Sequence, residues 1–206
     1  MAVWARTAVG IPKYCPLIEF SKEGYTFIRE HPDHDLAPVP YTASQVPKEA
    51  YMGTTHKVIP DFVVISGIRG MSREARDLVE EFEPGVHQFI PVNIVRKRGN
   101  KPIVRLDGRV LDEPYYLFNC MVWLDTILLD RSEVYKADIG NGVVTAYPDL
   151  TKPEARIVLN REMISGHHVW RGNLHFPERL FFSDQFATAT LRKNLKKLEF
   201  THYDEE

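Results

Sequence analysis

The chain has few cysteines, no strong charge of either sign and no long apolar run, and each absence removes a class of function. Cys15 and Cys120 are its only cysteines, and both sit among apolar neighbours. A secreted disulfide framework would use more, so the expectation is two buried free thiols in a reducing compartment. The formal net charge is -2 over 206 residues. That balance points neither to a nucleic-acid partner nor to an acidic mimic of one. No stretch approaches the ~20 apolar residues of a membrane span. The longest runs, such as Phe62-Val63-Val64-Ile65, have strand length. Arg6, Gly10, Pro12 and Lys13 interrupt the first twenty residues, which argues against a signal peptide. A cytoplasmic protein without a membrane partner is the expectation.

Catalytic signatures are missing as well. The sequence contains no phosphate loop of the Gly-x-x-x-x-Gly-Lys-Ser/Thr type, no Gly-x-Gly-x-x-Gly, no Gly-x-Ser-x-Gly, no His-Glu-x-x-His and no Cys-x-x-Cys. No cofactor is implied.

What is present reads as one domain over residues 1–206, of the α+β class. The spacing predicts a central antiparallel sheet of short strands with a few helices, and an irregular N-terminal segment packed on it. Residues 1–60 form that segment. Pro12, Pro16, Pro32, Pro38, Pro40, Pro47 and Pro60 deny it long helices, and its aromatic residues argue that it packs rather than dangles. Residues 61–203 form the core. Ser72 is a good N-cap for a helix over 73–82, in which Ala75, Leu78, Val79 and Phe82 make one apolar stripe. A strand over 86–95, a turn at Arg98-Gly99-Asn100 and a return strand over 103–106 read as a hairpin. Strands are expected over 115–124, 143–147, 155–159, 167–171 and 198–203. Ser183 caps a last helix over 184–194, with Asp184 complementing its dipole. The acidic end, Asp204-Glu205-Glu206, is expected to fray.

The most distinctive segment is Gly166-His167-His168-Val169-Trp170-Arg171. Its adjacent histidines suggest a metal, yet on a strand they would point to opposite faces and could not share one ion. No metal site is therefore expected. Trp170 reads as core with its indole N–H satisfied, or as a binding anchor. Arg171 reads as a partner for Asp184 or as a second anchor. The basic tip Arg96-Lys97-Arg98 with Lys101 could meet phosphates, but it lacks aromatic residues for stacking bases and reads as a solubilising turn. Glu74, Asp77 and Glu81 fall at i, i+3 and i+7 along one helix face and could form an acidic strip for a basic partner.

Together these segments resemble a known family. Met71 to Glu80, then Val86-His87-Gln88-Phe89-Ile90-Pro91-Val92, Tyr115 to Asn119, Gly166 to Arg171 and Phe182-Ser183-Asp184 stand in the order of the immunity-protein-11 family of bacterial polymorphic toxin systems. The resemblance covers roughly residues 60–202; the first sixty residues carry none of it. It implies a cytoplasmic antitoxin that binds a cognate toxin protein and neutralises it by occlusion, with no catalytic residue. Ser72, Gly166, His167, His168, Ser183 and Asp184 are then marks of the shared scaffold. Trp170, Arg171, Glu74, Asp77 and Glu81 are the candidates for touching the partner. The alternative from another class is a hydrolase using His167, His168 or His175 with Glu178 or Asp184, which requires those groups to converge in one pocket.

Overall fold

A computed structural model describes residues 2–7 (backbone only), 16–21, 38–53, 55–99, 101–138, 140, 142–148, 155–176, 179–195 and 198–206. Its strands are β1 (Ala2–Thr7), β2 (Ile18–Phe20), β3 (Glu49–Met52), β4 (Val58–Ile59), β5 (Phe62–Ile65), β6 (Ile68–Met71), β7 (Gln88–Arg96), β8 (Val104–Arg105) and β9 (Tyr115–Asn119). They continue with β10 (Trp123–Leu124), β11 (Val134–Asp138), β12 (Val144–Pro148), β13 (Val158–Leu159), β14 (Val169–Gly172), β15 (Leu180–Ser183), β16 (Leu198–His202) and β17 (Asp204–Glu205). The helices are α1 (Arg73–Phe82), α2 (Arg161–Ile164) and α3 (Asp184–Arg192).

The α+β class is as read, with the strands shared between two main assemblies. The first is a closed barrel in the order β2-β3-β7-β9-β6-β5. Strand β2 closes it against β5, with Ile18 opposite Ile65 and the Ser66 N–H donating to the Ile18 carbonyl at 2.9 Å. Alternation fills the interior: Ile90, Val92 and Ile94 of β7 point inward while Pro91 and Asn93 are exposed. They meet Ile18, Phe20, Ala50, Met52, Val63, Ile65 and Leu117. The second assembly is a five-stranded sheet in the order β10-β14-β15-β1-β16, antiparallel except for β10 beside β14.

Helices α1 and α3 pack in the apolar layer that joins the two. Ser72 caps α1 as its sequence predicts, its Oγ accepting from the Ala75 N–H at 3.3 Å. Ala75, Leu78 and Val79 are fully buried there, against Tyr116 and Phe118 of the barrel wall and Val169, Phe182 and Phe186. Strand β9 is buried along its whole length for this reason: Tyr115 and Leu117 face the barrel interior, Tyr116 and Phe118 the helices. A third cluster lies on the opposite face of the five-stranded sheet, where Trp170 and Phe181 meet Ile127, Ile157, Leu159, Ile164, Phe176 and Tyr203.

Four expectations need correction. The N-terminal segment does more than cover the core, since β1 runs between β15 and β16 inside the sheet and β2 and β3 are barrel staves. The hairpin from β7 into 103–106 does not form. Strand β7 is already hydrogen-bonded on both sides, by β3 and β9, so β8 pairs in parallel with β4 instead. The 115–124 strand breaks over Cys120-Met121-Val122, so that β9 serves the barrel and β10 the sheet. The acidic end is tied down: β17 pairs in parallel with β13, and Arg156 holds Asp204 and Glu206 at 3.0 Å each. Asn100 of the expected turn, Cys15 and Glu178 lie outside the described residues.

Candidate binding cleft beside the Gly166–Arg171 segment

The segment is shaped from its N-terminal side by α2. Asn160 caps that helix, its Oδ1 accepting from the Glu162 and Met163 N–H groups. Gly166 then turns the chain at a φ of 80°, a left-handed value that a side chain would resist. Strand β14 begins at Val169, so His167 and His168 precede it.

A buried carboxylate fixes the strand's start. Glu83, the C-cap of α1, accepts from the His168 backbone N–H at 2.6 Å through Oε1. Its Oε2 takes the His87 imidazole at Nε2. His87 Nδ1 accepts from the Met121 N–H at 3.2 Å, so the ring proton sits on Nε2 and is donated to Glu83. Burial pushes the Glu83 carboxyl up, but the hydrogen bonds from His87 and His168 outweigh it and hold the group below the ordinary carboxylate range. The His168 ring is equally engaged. Its Nδ1 lies 2.8 Å from Ser183 Oγ, and its edge meets Phe82 at 4.8 Å. Ser183 also caps α3, accepting from the Phe186 N–H at 3.2 Å.

Trp170 and Arg171 part company. Trp170 is 1 % exposed and stacks on Phe181 at 5.7 Å. The expectation that its indole N–H is satisfied fails: Nε1 is buried without an acceptor among the described residues. Leaving such a donor unpaired costs about 1–3 kcal/mol. Arg171 lies over the Trp123 ring at 4.4 Å. It stands opposite Leu180, which at ~3.3 Å per residue sets it about 13 Å of chain from residue 184. The expected Arg171–Asp184 tie is therefore replaced by a cation–π contact at the sheet's β10 edge.

The histidines do not converge either. His168 precedes β14 and His175 follows it, where Asp125 accepts from the His175 backbone N–H at 3.1 Å. Among the described residues no three His, Cys, Asp or Glu side chains form a group that could hold a metal ion. The segment instead walls a cleft of about 440 Å³. Arg161 and Ser165 line one side, His168 and Trp170 the wall, Asp184 and Gln185 the first turn of α3.

The acidic strip is largely neutralised within the chain. Glu74 accepts from Arg105 and Arg109 at 2.7 Å each. Burial would raise its carboxyl, but these two guanidinium groups override that and hold it at about 2. Asp77 takes Arg76 Nε at 2.6 Å and Glu81 takes Lys193 at 2.7 Å. The basic tip is engaged too: Arg96 donates to the His56 and Lys57 carbonyls, and Lys97 faces Glu19 at 3.7 Å.

Sequence reasoning missed two groups. One is the Glu83–His87 pair, whose i, i+4 spacing across Pro84-Gly85 was its only local signal. The other is Arg105, 5 % exposed, which holds Asp61 and Glu113 at 2.9 Å each besides Glu74. Asp61 also accepts from Ser72 Oγ at 2.9 Å, so the cap of α1 is itself anchored to the barrel. Nothing near Arg105 in sequence announces a buried cation.

Among the described residues no helix is long and apolar enough to cross a membrane. The model of an immunity protein family, Imm11, matches residues 19–205. The match reaches some forty residues further toward the N-terminus than the resemblance read from the sequence, and so takes in most of stave β2 and all of β3. No curated protein matches the chain.

Proposed function

Because the chain belongs to the Imm11 immunity protein family, we propose that it is an antitoxin that binds a cognate polymorphic toxin in the bacterial cytoplasm and neutralises it by occlusion. The observation that carries this reading is the family match, which spans nearly the whole chain. The geometry agrees with it. Glu83, His87, His168, Glu74 and Arg105 are spent on one another, and a group already committed to internal hydrogen bonds is poorly placed to act on a substrate. Inhibition then comes from covering the toxin over a standard-size interface of roughly 1,600 Å², without chemistry by this chain. The hydrolase reading gains no support, since His168 and His175 stand at opposite ends of β14.

Of the partner-facing candidates, Asp77 and Glu81 remain on the surface, Glu74 is turned toward Arg105, and Trp170 and Arg171 are buried. The test is co-expression with the neighbouring toxin gene, followed by purification of a complex. Growth rescue together with a stoichiometric complex is the expected result. A chain that neither binds the toxin nor rescues the cells would overturn the reading.

A further inference from the structure

We propose that β11 is a docking edge for the toxin: an extended toxin strand, with an acidic side chain opposite Lys136, pairs with its open side and turns the β11–β12 hairpin into a three-stranded sheet. The inference rests on the antitoxin reading and deepens it by naming the contact surface.

The hairpin is held on one side and open on the other. Strand β12 is tied to the body, its Ala146 carbonyl accepting from the Phe176 N–H at 3.0 Å and its Thr145 hydroxyl donating to the Leu174 carbonyl. Strand β11 pairs with β12 from Val134 to Asp138, and with no other strand among the described residues. In an antiparallel pair only alternate residues turn their backbone groups toward the neighbour. The others on β11 therefore present N–H and C=O groups along the outer side, in the row that an added strand requires.

The same ribbon exposes apolar side chains. Tyr135 is 62 % exposed, Val143 40 % and Val144 45 %. Tyr135 stands opposite Tyr147, on the face away from Val134 and Ala146, which pack into the core. The outer edge of the five-stranded sheet, β16, lacks this character. Its Leu198 and Phe200 pack into the layer with α1 and α3, and Thr201 and His202 are the exposed members among its described side chains.

Charge selects the occupant. Lys136 lies at the centre of β11, exposed and without an ion pair among the described residues. Asp138 sits at the strand's end, its Oδ1 accepting from the Gly140 N–H at 2.7 Å. Full antiparallel overlap of two copies would set Lys136 against Lys136, and like charges directly opposite destabilise a strand pair. That disfavours a second copy of this chain and favours a foreign strand with Asp or Glu at the central position. Because β12 is anchored, the edge is in place before the partner arrives.

Amide hydrogen exchange of the wild-type protein, read residue by residue by NMR with and without the purified toxin domain encoded beside this chain, tests the proposal. The outward amides of β11 should exchange freely in the isolated chain and slow about tenfold or more in the complex. Calorimetric titration supplies a second readout. Lys136→Glu should weaken binding about tenfold or more, and Leu191→Glu, on an exposed site of α3, should leave it unchanged. Tight binding with exchange in β11 unmoved, or full affinity in a folded Lys136→Glu, overturns the docking edge and leaves the antitoxin reading standing. Slowing that grows with the concentration of this chain alone makes a second copy the occupant and overturns the toxin strand. Absence of binding by the wild-type chain overturns both.

Discussion

Glu83 Oε1 accepts the backbone N–H of His168 at 2.6 Å across 85 residues of sequence. One carboxylate thus couples the end of α1 to the start of β14, and through His87 and Met121 it reaches the link between β9 and β10. The barrel and the five-stranded sheet are stitched at this point. The Gly166–Arg171 segment owes its placement to that stitch more than to its own residues.

Replacing Glu83 by Ala should therefore cost more than an average core substitution. It leaves the His87 Nε2 proton and the His168 N–H buried without acceptors, and a loss of about 3 kcal/mol is expected. Urea unfolding measures it. A loss under about 1 kcal/mol would show that water replaces the carboxylate and that the stitch contributes little.

Acid should weaken the fold through Glu74 and Glu83. Both carboxyls are held below their ordinary values, Glu74 at about 2. A carboxyl lowered on folding contributes stability that is fully present above its unfolded pKa, near 4.5. That contribution is lost as the pH falls through the folded value. The melting temperature of the wild type should thus decline between pH 4.5 and about 2, where Glu74 titrates. In Glu74→Gln the decline should be shallower, and the gap between the two proteins should close toward pH 2. The gap at neutral pH should be modest, about 1 kcal/mol or less, because the Glu74 side chain is 35 % exposed and solvent screens its pairs. A gap that stays constant down to pH 2 would contradict the assignment.

These relationships divide by how local they are. The helix over 73–82 was legible because Ser72, the apolar stripe at 75, 78 and 79 and the Pro84-Gly85 stop all lie within one short window. The Ser183 cap was legible for the same reason. Strand positions near 144–148 and 198–202 could be read from composition, but their neighbours could not. Pairing is set by which edges are free in the finished fold, and β7 has none left for residues 103–106. The partners of His168 and Arg105 were equally hidden, since Glu83 and Asp61 stand 85 and 44 residues away. Spacing within the Gly166–Arg171 segment implied a strand from His167, whereas β14 begins at Val169. It could not say that Trp170 would lack an acceptor, because that depends on residues folded around it.

Arg105 should prove more demanding than its surroundings suggest. It sits 5 % exposed among Asp61, Glu74 and Glu113. Arg105→Ala would strand these acids, with Asp61 itself buried, and should cost about 3–5 kcal/mol. Arg105→Lys should rescue little of that, because an ammonium cannot reproduce the planar fork that bonds three carboxylates at once. Thermal unfolding of both variants checks the point. A Lys variant as stable as the wild type would mean that charge alone, without geometry, holds β8 in place.

The acidic strip is paired within the chain. Asp77 and Glu81 are the members left on the surface, and each already has a cation within 2.7 Å, Arg76 and Lys193. Long-range steering responds to net local charge, so acids neutralised at contact distance add little to the field felt by an approaching toxin. The charge-neutral quadruple variant Arg76→Gln, Asp77→Asn, Glu81→Gln, Lys193→Gln should change the association rate by less than about threefold at ~0.1 M salt, where exposed charges are screened beyond roughly 10 Å. The dissociation rate should be unchanged, because these side chains are already committed to one another. Stopped-flow association across a salt series distinguishes the outcomes. A tenfold slower association at low salt that disappears at high salt would make α1 the docking face.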